Sequence, residues 1–210
     1  MPSIVSGQVP LLAGWVMYAV LHSILASQHM KALVARHWPS LMPWYRLAYN
    51  VFAVLALLPL AWLMWVAPGR PLWAWQGAGA WLTNGLALAA AASAVVSSRA
   101  YAMNDFLGLG PLRGAPVADH DVFRLSPLHR FVRHPWYACG LVMVWTRDMN
   151  GALLVSALAI TAYLVLGSRL EERKLIALHG EVYRRYRARV PGLVPLPWKW
   201  LSRDEAERFH

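Results

Sequence analysis

Two polar clusters flank one hydrophobic hairpin in this chain. The first is Arg133-His134-Pro135-Trp136-Tyr137, with Gly140 behind it. The second is Glu171-Glu172, followed by Gly180, Tyr183, Tyr186, Val190-Pro191 and Pro195. Pro135 fixes its own φ and has no N–H to donate, which suits the first turn of a helix. It also biases His134 away from helical geometry. A helix that starts at Pro135 offers backbone N–H groups and a positive dipole end to a carboxylate or phosphate. Arg133 and His134 add charge-assisted donors there. Trp136 and Tyr137 could face a cation, and Gly140 leaves room for a ligand one turn on. The carboxylates complete the set. Adjacent helical residues point about 100° apart, so Glu171 and Glu172 cannot face one ligand equally. Glu172 can pair with Arg169 three residues back. A site of this kind suits a small zwitterionic cofactor. The competing reading is an interfacial anchor of Arg, Trp and Tyr, with the two glutamates at a solvated helix exit beside Arg173 and Lys174.

The elements that must position these groups are membrane helices. Of 210 residues, 58% are hydrophobic and 12 are Trp, and the mean hydropathy is +0.38. Apolar runs of about 20 residues span a bilayer, and lipid-exposed backbone must be helical or barrelled. These runs lack strand alternation, so helices are expected. The predicted spans are Val9 to Ala26, Tyr45 to Val66 with a kink from Pro59, Trp75 to Ser97, a short one from Pro135 to near Trp145, and Gly151 to Leu170. Ala87 to Ala94 would permit close helix approach in the third. Only Arg147-Asp148-Met149-Asn150 interrupts the last two, which therefore form a hairpin and return both polar clusters to one face. Beyond it, Leu175, Leu178, Val182 and Tyr186 recur at helical spacing, with Arg184, Arg185, Arg187 and Arg189 between and beyond them. That pattern predicts a basic amphipathic helix on the membrane surface. The fold class is thus all-α: a polytopic membrane helical bundle of about five transmembrane helices with a C-terminal interfacial amphipathic helix. It forms one integral membrane domain over 1–210, with three spans in 1–110 and the cofactor-binding segment in 111–210. No A-x-A site follows the first span, which is read as retained.

The net charge of +10 does not point to nucleic acid, because the basic residues sit in loops and in the tail of a hydrophobic chain. Lys31, Arg36 and Arg46 lie between spans one and two, five Arg lie from Arg99 to Arg133, and ten Lys or Arg follow from Arg169. Only Arg70 and Arg147 fall on the opposite face. The positive-inside rule then places the N-terminus outside and the C-terminus, with both clusters, in the cytoplasm. The single cysteine, Cys139, allows no intrachain disulfide and reads as a packing residue. No His/Cys/Asp cluster has zinc spacing, and no G-x-G-x-x-G follows a strand.

The order R-H-P-x-Y, E-E-x-x-L, then G-x-x-Y-x-x-Y-x-x-x-V-P-x-x-x-P, over roughly Asp121 to Pro197, resembles the isoprenylcysteine carboxyl methyltransferase and phospholipid N-methyltransferase superfamily of integral membrane proteins. His22-Ser23, Ala26-Ser27, Lys31, Tyr45-Arg46 and Tyr49-Asn50 are similar to its bacterial branch of methanethiol S-methyltransferases, with NnrU proteins related. The resemblance implies a bacterial inner-membrane enzyme that binds S-adenosylmethionine at the cytoplasmic face. It places His134, Pro135, Trp136, Tyr137 and Glu171 at that cofactor, with Val122, Phe123, Arg124 and His129 also lining the pocket; Arg133 and Gly140 join them from the reading of the first cluster. The isoprenylcysteine enzymes carry a substrate-binding Arg four residues before the first Glu. Gly167 stands at that position here, which argues against an isoprenylcysteine acceptor.

The donor's carboxylate suits a helix N-terminus, its ammonium a glutamate and its sulfonium an aromatic face. Glu172 and Arg169 are the candidate catalytic groups, with Glu172 or His134 as base where a thiol or amine must lose a proton. His22, Arg46 and Asn50 lie near the cytoplasmic ends of spans one and two and are candidate substrate-binding residues; their bland alternative is a structural hydrogen-bond set. The expected partners are membrane lipid and a small or lipophilic acceptor, a thiol, amine or carboxylate. No nucleic acid and no obligate protein partner are expected. Two further readings are a non-enzymatic NnrU-like membrane factor and a reductase using a reduced nicotinamide cofactor, since sterol reductases share a related C-terminal architecture.

Overall fold

The computed structural model describes residues 8–98, 103–113 and 125–209. It is a helical membrane protein. Helix α1 spans Val9–Ala26, and Ser27 then caps α2, Gln28–His37, by accepting from the Met30 N–H. Helices α3, Met42–Leu55, and α4, Leu57–Val66, follow, then the short strand β1, Pro71–Trp73, and α5, Gly77–Ser98. The later elements are α6, Met103–Leu107; α7, Pro135–Trp145; strand β2, Met149–Asn150; α8, Gly151–Arg189; and α9, Arg203–Glu207.

Among the described residues four helical stretches are long and apolar enough to cross a membrane: Val9–Ala26, Pro39–Val66, Gly77–Ser98 and Gly151–Arg189. The expected fifth, α7, is a shorter apolar helix, as its sequence suggested. Its 11 residues reach only about 16 Å at 1.5 Å per residue, short of a hydrocarbon core about 30 Å thick. The break in the second stretch falls at Ala56, between α3 and α4. Pro59 accounts for it, because its ring and missing N–H act on the carbonyl one turn earlier.

The helices form two compact units, the described residues of Met1–Trp73, Ala102–Ala118 and Met149–Ala159, and those of Ala74–Tyr101, Asp119–Asp148 and Ile160–His210. In the first, Leu11, Leu60 and Ala152 make a small core, and the Trp15 indole donates to Ser156 at 2.9 Å. Strands β1 and β2 pair antiparallel, a ribbon absent from the sequence expectation. Gly69, at φ +74, lets the two backbones meet: a Cβ there would lie 3.2 Å from Gly151 Cα. In the second unit α5 packs along α7, with Ala90 buried on the alanine-rich stretch.

One expectation needs correction beyond Glu172. The stripe Leu175, Leu178, Val182 and Tyr186 does not hold as one face. Gly180 has φ 55 and ψ −126, so α8 is two helical pieces. The break resets the helical phase. Leu178 and Val182 are exposed, while Tyr183, Tyr186 and Val190 are buried with Leu201 and Ala206 in a C-terminal core.

Candidate functional site

The predicted start of α7 holds in backbone terms. His134 is its N-cap at φ −123 and ψ 71, and Pro135 occupies the first turn. The α7–α8 hairpin closes as expected: the Trp145 indole donates to Thr161 at 3.0 Å near the tip, and the two polar clusters meet at the base.

Glu172 is the centre of that meeting, with its side chain only 8% exposed. Arg133 donates to Glu172 Oε1 from Nε at 2.8 Å and from Nη2 at 2.6 Å. His134 Nε2 lies 3.2 Å from the same oxygen. Arg187 Nε lies 3.2 Å from Oε2. The Arg133 Nη1 donates to the carbonyls of Arg187 and Val190. The backbone N–H of Arg133 donates to Pro191 O at 2.8 Å, and that of His134 to Gly192 O at 3.1 Å. The segment 187–192 is therefore a cradle for the first cluster.

Glu171 is different. Its side chain is 47% exposed, with Oε2 at 3.4 Å from His134 Nδ1 and 3.2 Å from the Tyr137 hydroxyl that donates to it. The Tyr137 ring stacks on His134 at 5.3 Å between centroids. Both His134 nitrogens thus face carboxylates, and only the imidazolium donates from both. Burial pulls the His134 pKa down, but hydrogen bonds and charge from Glu171 and Glu172 outweigh it and hold it above 6.5. Burial likewise opposes ionisation of Glu171 and Glu172. His134 and Tyr137 at Glu171, and His134 and Arg133 at Glu172, override it and hold both below 4.5.

The sign of the pH dependence follows. The carboxylates' contribution is present above 4.5 and is lost as pH falls through their lowered values. The contribution of His134 is present below 6.5 and is lost as pH rises through its raised value. Thermal unfolding followed by tryptophan fluorescence should show a plateau that falls on both sides. In His134→Gln the alkaline fall should disappear; an unchanged alkaline limb would assign it elsewhere.

His129 sits on a neighbouring buried turn, Pro127–Arg130. Its Nδ1 accepts the Ser126 N–H at 3.0 Å, so the ring is neutral with its proton on Nε2. Burial, then the charge of His134, depress its pKa to about 4 against the opposing charge of Glu171. Ser97 and Ser126 hydroxyls lie 3.0 Å apart, and the Tyr186 hydroxyl donates to His129 O at 2.7 Å.

The remaining expected residues fall as follows. Arg169 is exposed, and the expected Arg169–Glu172 pair is absent among the described residues. Glu172 is turned to Arg133, His134 and Arg187 instead, where two charged donors of Arg133 on one buried carboxylate oxygen outweigh a solvated i,i+3 pair. Pro135 is buried, while Trp136 and Gly140 are half-buried on α7. Val122, Phe123 and Arg124 lie outside the described residues. His22, Arg46 and Asn50 belong to the first unit. His22 Nε2 is 2.7 Å from the Tyr49 hydroxyl, and the Asn50 amide donates to Phe106 O at 3.1 Å. Sequence reasoning missed Arg187, Ser97 and Ser126. Ser126-Pro127 with His129 three residues on is a local N-cap signal, but nothing local marks Arg187. Among the described residues no group of His, Cys, Asp and Glu could hold a metal ion.

No family model matches the chain and no solved structure does. Curated proteins do. The chain is 34% identical over 186 residues to methanethiol S-methyltransferase 2 of Bradyrhizobium diazoefficiens, covering 85% of this chain and 70% of that protein. It is 32% identical over 200 residues to the methanethiol S-methyltransferase of Mycobacterium tuberculosis, covering 86% and 75%. It is 31% identical over 185 residues to that of Crocosphaera subtropica, covering 85% and 71%. Similarity at this level, running through nearly the whole of a helical membrane chain, means that the chain belongs to the methanethiol S-methyltransferase family.

Proposed function

We propose that the protein is an S-adenosylmethionine-dependent membrane methyltransferase whose acceptor is a small thiol, methanethiol being the first to test. The observation that carries this reading is the similarity to named methanethiol S-methyltransferases along 85% of the chain. The charged cluster supports it. The residues present fit the methyl donor: Glu171 presents a half-exposed ionised carboxylate suited to an ammonium, and a Cβ on Gly140 would meet no atom within 4 Å. Arg133, His134, Trp136, Tyr137, Gly140 and Glu171 would hold it, with His129 on the adjoining turn. When bound, S-adenosylmethionine supplies an electrophilic methyl group on a positively charged sulfur.

The chain's own part is orientation and charge. With Arg133, His134, Tyr137 and Glu171 holding the donor, the acceptor sulfur would take the methyl group as its bond to the donor sulfur breaks, and the thiol proton would leave to solvent. Glu172 anchors Arg133 and His134, and its own oxygens are engaged by three cations. Both ring nitrogens of His134 face carboxylate oxygens, which favours its protonated form over a role as base. His129 has its Nδ1 lone pair committed to Ser126. These states favour a reading in which position and desolvation, rather than a dedicated base, carry the rate. We place the cluster on the cytoplasmic side of a bacterial inner membrane, following the distribution of Lys and Arg.

The test is calorimetric binding of S-adenosylmethionine to the detergent-solubilised protein with NADPH in parallel, then gas chromatography for dimethyl sulfide formed from methanethiol. Binding of the methyl donor with product formation is expected. Binding of NADPH alone would promote a reductase, and binding of neither a non-enzymatic factor. Glu171→Ala should weaken donor binding by about tenfold or more, about 1.4 kcal/mol, without loss of fold, because Glu171 is half exposed. An unchanged Kd would remove Glu171 from the donor site.

A further inference from the structure

The segment that follows the cradle, Val194 to Trp200, reads Val-Pro-Leu-Pro-Trp-Lys-Trp and turns apolar groups outward. Trp198 is 74% exposed, Val194 66%, Trp200 47% and, beside it, Phe131 43%. The Phe131 and Trp200 rings stack at 6.4 Å between centroids. They form one wall of an open cavity of about 560 Å³, which Pro195, Leu196 and Pro197 complete. Every residue that lines it is apolar.

This surface is held in shape. Val190 and Leu201, on either side of the segment, are each 1% exposed. The Leu201 N–H donates to Arg130 O at 3.0 Å, and Arg130 Nε donates to Leu201 O at 2.9 Å. The Lys199 N–H closes a turn onto Leu196 O at 3.0 Å, and Pro195 and Pro197 fix two φ angles there. Little conformational freedom is left to lose when the surface is covered.

Its depth follows from its neighbours in the same compact unit. Ser126, five residues before Phe131, meets Ser97 in the last turn of the apolar helix Gly77–Ser98. Arg133, two residues after Phe131, meets Glu172, two residues past Leu170, where the apolar run of α8 ends. Two apolar helices therefore stop at the level of Phe131, where hydrocarbon gives way to headgroups. Tryptophan suits that level, with its ring against acyl chains and its N–H in the polar layer. Helix α9 close by sets Arg203 and Arg208 against Asp204 and Glu207, so apolar contact rather than net charge must supply the attachment.

We propose that Phe131 and the segment 194–200 insert into the acyl–headgroup boundary of the bilayer and anchor the cradle of residues 187–192 to the membrane. This inference stands apart from the methyltransferase reading.

The experiment reads the depth of spin labels on the full chain in phosphatidylcholine nanodiscs. In a Cys139→Ala background, labels are attached through Trp198→Cys and, on α9, through Glu207→Cys, both at exposed positions. The label at 198 should collide several-fold more with oxygen than with a water-soluble nickel chelate, and the label at 207 the reverse, with the contrast kept at high salt. Equal access of nickel to both positions would put the segment in water. Spin–spin broadening at 198 that vanishes on dilution with unlabelled chain would make the surface a contact between copies. Loss of the contrast at high salt would make the attachment electrostatic. Each of these overturns the proposal. If the labelled variants do not fold, the wild-type chain in nanodiscs that carry a photoreactive group on the phosphatidylcholine acyl chain decides. Adducts at Phe131 and within 194–200 are expected, and adducts confined to the apolar helices overturn it.

Discussion

Glu172→Gln should abolish measurable binding of S-adenosylmethionine and destabilise the fold by about 3–5 kcal/mol, the range for removing one partner of a buried ion pair. The amide keeps the shape and loses the charge. Arg133, whose side chain is 12% exposed, would be left with carbonyl acceptors only, and one nitrogen of His134 would lose its carboxylate. Thermal unfolding read by reaction of the one cysteine supplies the check, because Cys139 is buried in the fold. Arg169→Gln, at an exposed residue without an ion pair to Glu172, should unfold like the wild type. If the two variants unfold alike, Glu172 is not the anchor that the geometry makes it.

The contrast between Glu172 and its neighbour gives this result its use. Both carboxylates sit at one turn of α8, yet one is enclosed by three cations and the other is half exposed. Loss of binding in Glu171→Ala with a much smaller loss of stability than in Glu172→Gln would separate contact with the methyl donor from support of the groups that make contact. An equal loss of stability would place both in the support.

How far the sequence could reach depends on whether a residue's partner is local. The first span was legible to the residue, Val9–Ala26, because an apolar run ends there at Ser27, an N-cap residue. The start of α7 was legible because Pro135 restricts two residues at once. The pairing of the two clusters was legible because a hairpin with so short a tip must return both to one face. The partners inside the cluster were not. Arg169 is near Glu172 in sequence, but Arg133 and Arg187 reach it through the fold. Arg187 depends on Gly180, whose positive φ changes the direction of α8 in a way no 3.6-residue pattern carries. The same glycine explains why Leu178 and Val182 read as part of a stripe that Tyr183, Tyr186 and Val190 form instead. The β1–β2 ribbon escaped for a related reason, since each strand is too short for alternation to show.

The cradle from Arg187 to Gly192 makes the C-terminal segment part of the site, although it carries no group expected to touch a ligand. Cutting the chain after Arg189 should therefore abolish donor binding. The cut removes the carbonyls of Val190, Pro191 and Gly192 that receive Arg133 and His134. It also removes Val190, Leu201 and Ala206 from the core under Tyr183 and Tyr186. Leu201→Ala is the milder form. Leu201 is 1% exposed, so its truncation should cost about 2–5 kcal/mol, while its backbone still accepts from Arg130 Nε at 2.9 Å. Because Leu201 itself lies outside the charged cluster, donor affinity measured well below the unfolding midpoint should weaken in this variant only as far as the cradle loosens. Affinity retained in the truncated chain would mean that Glu172 alone orients Arg133 and His134, and that the tail is dispensable to the site.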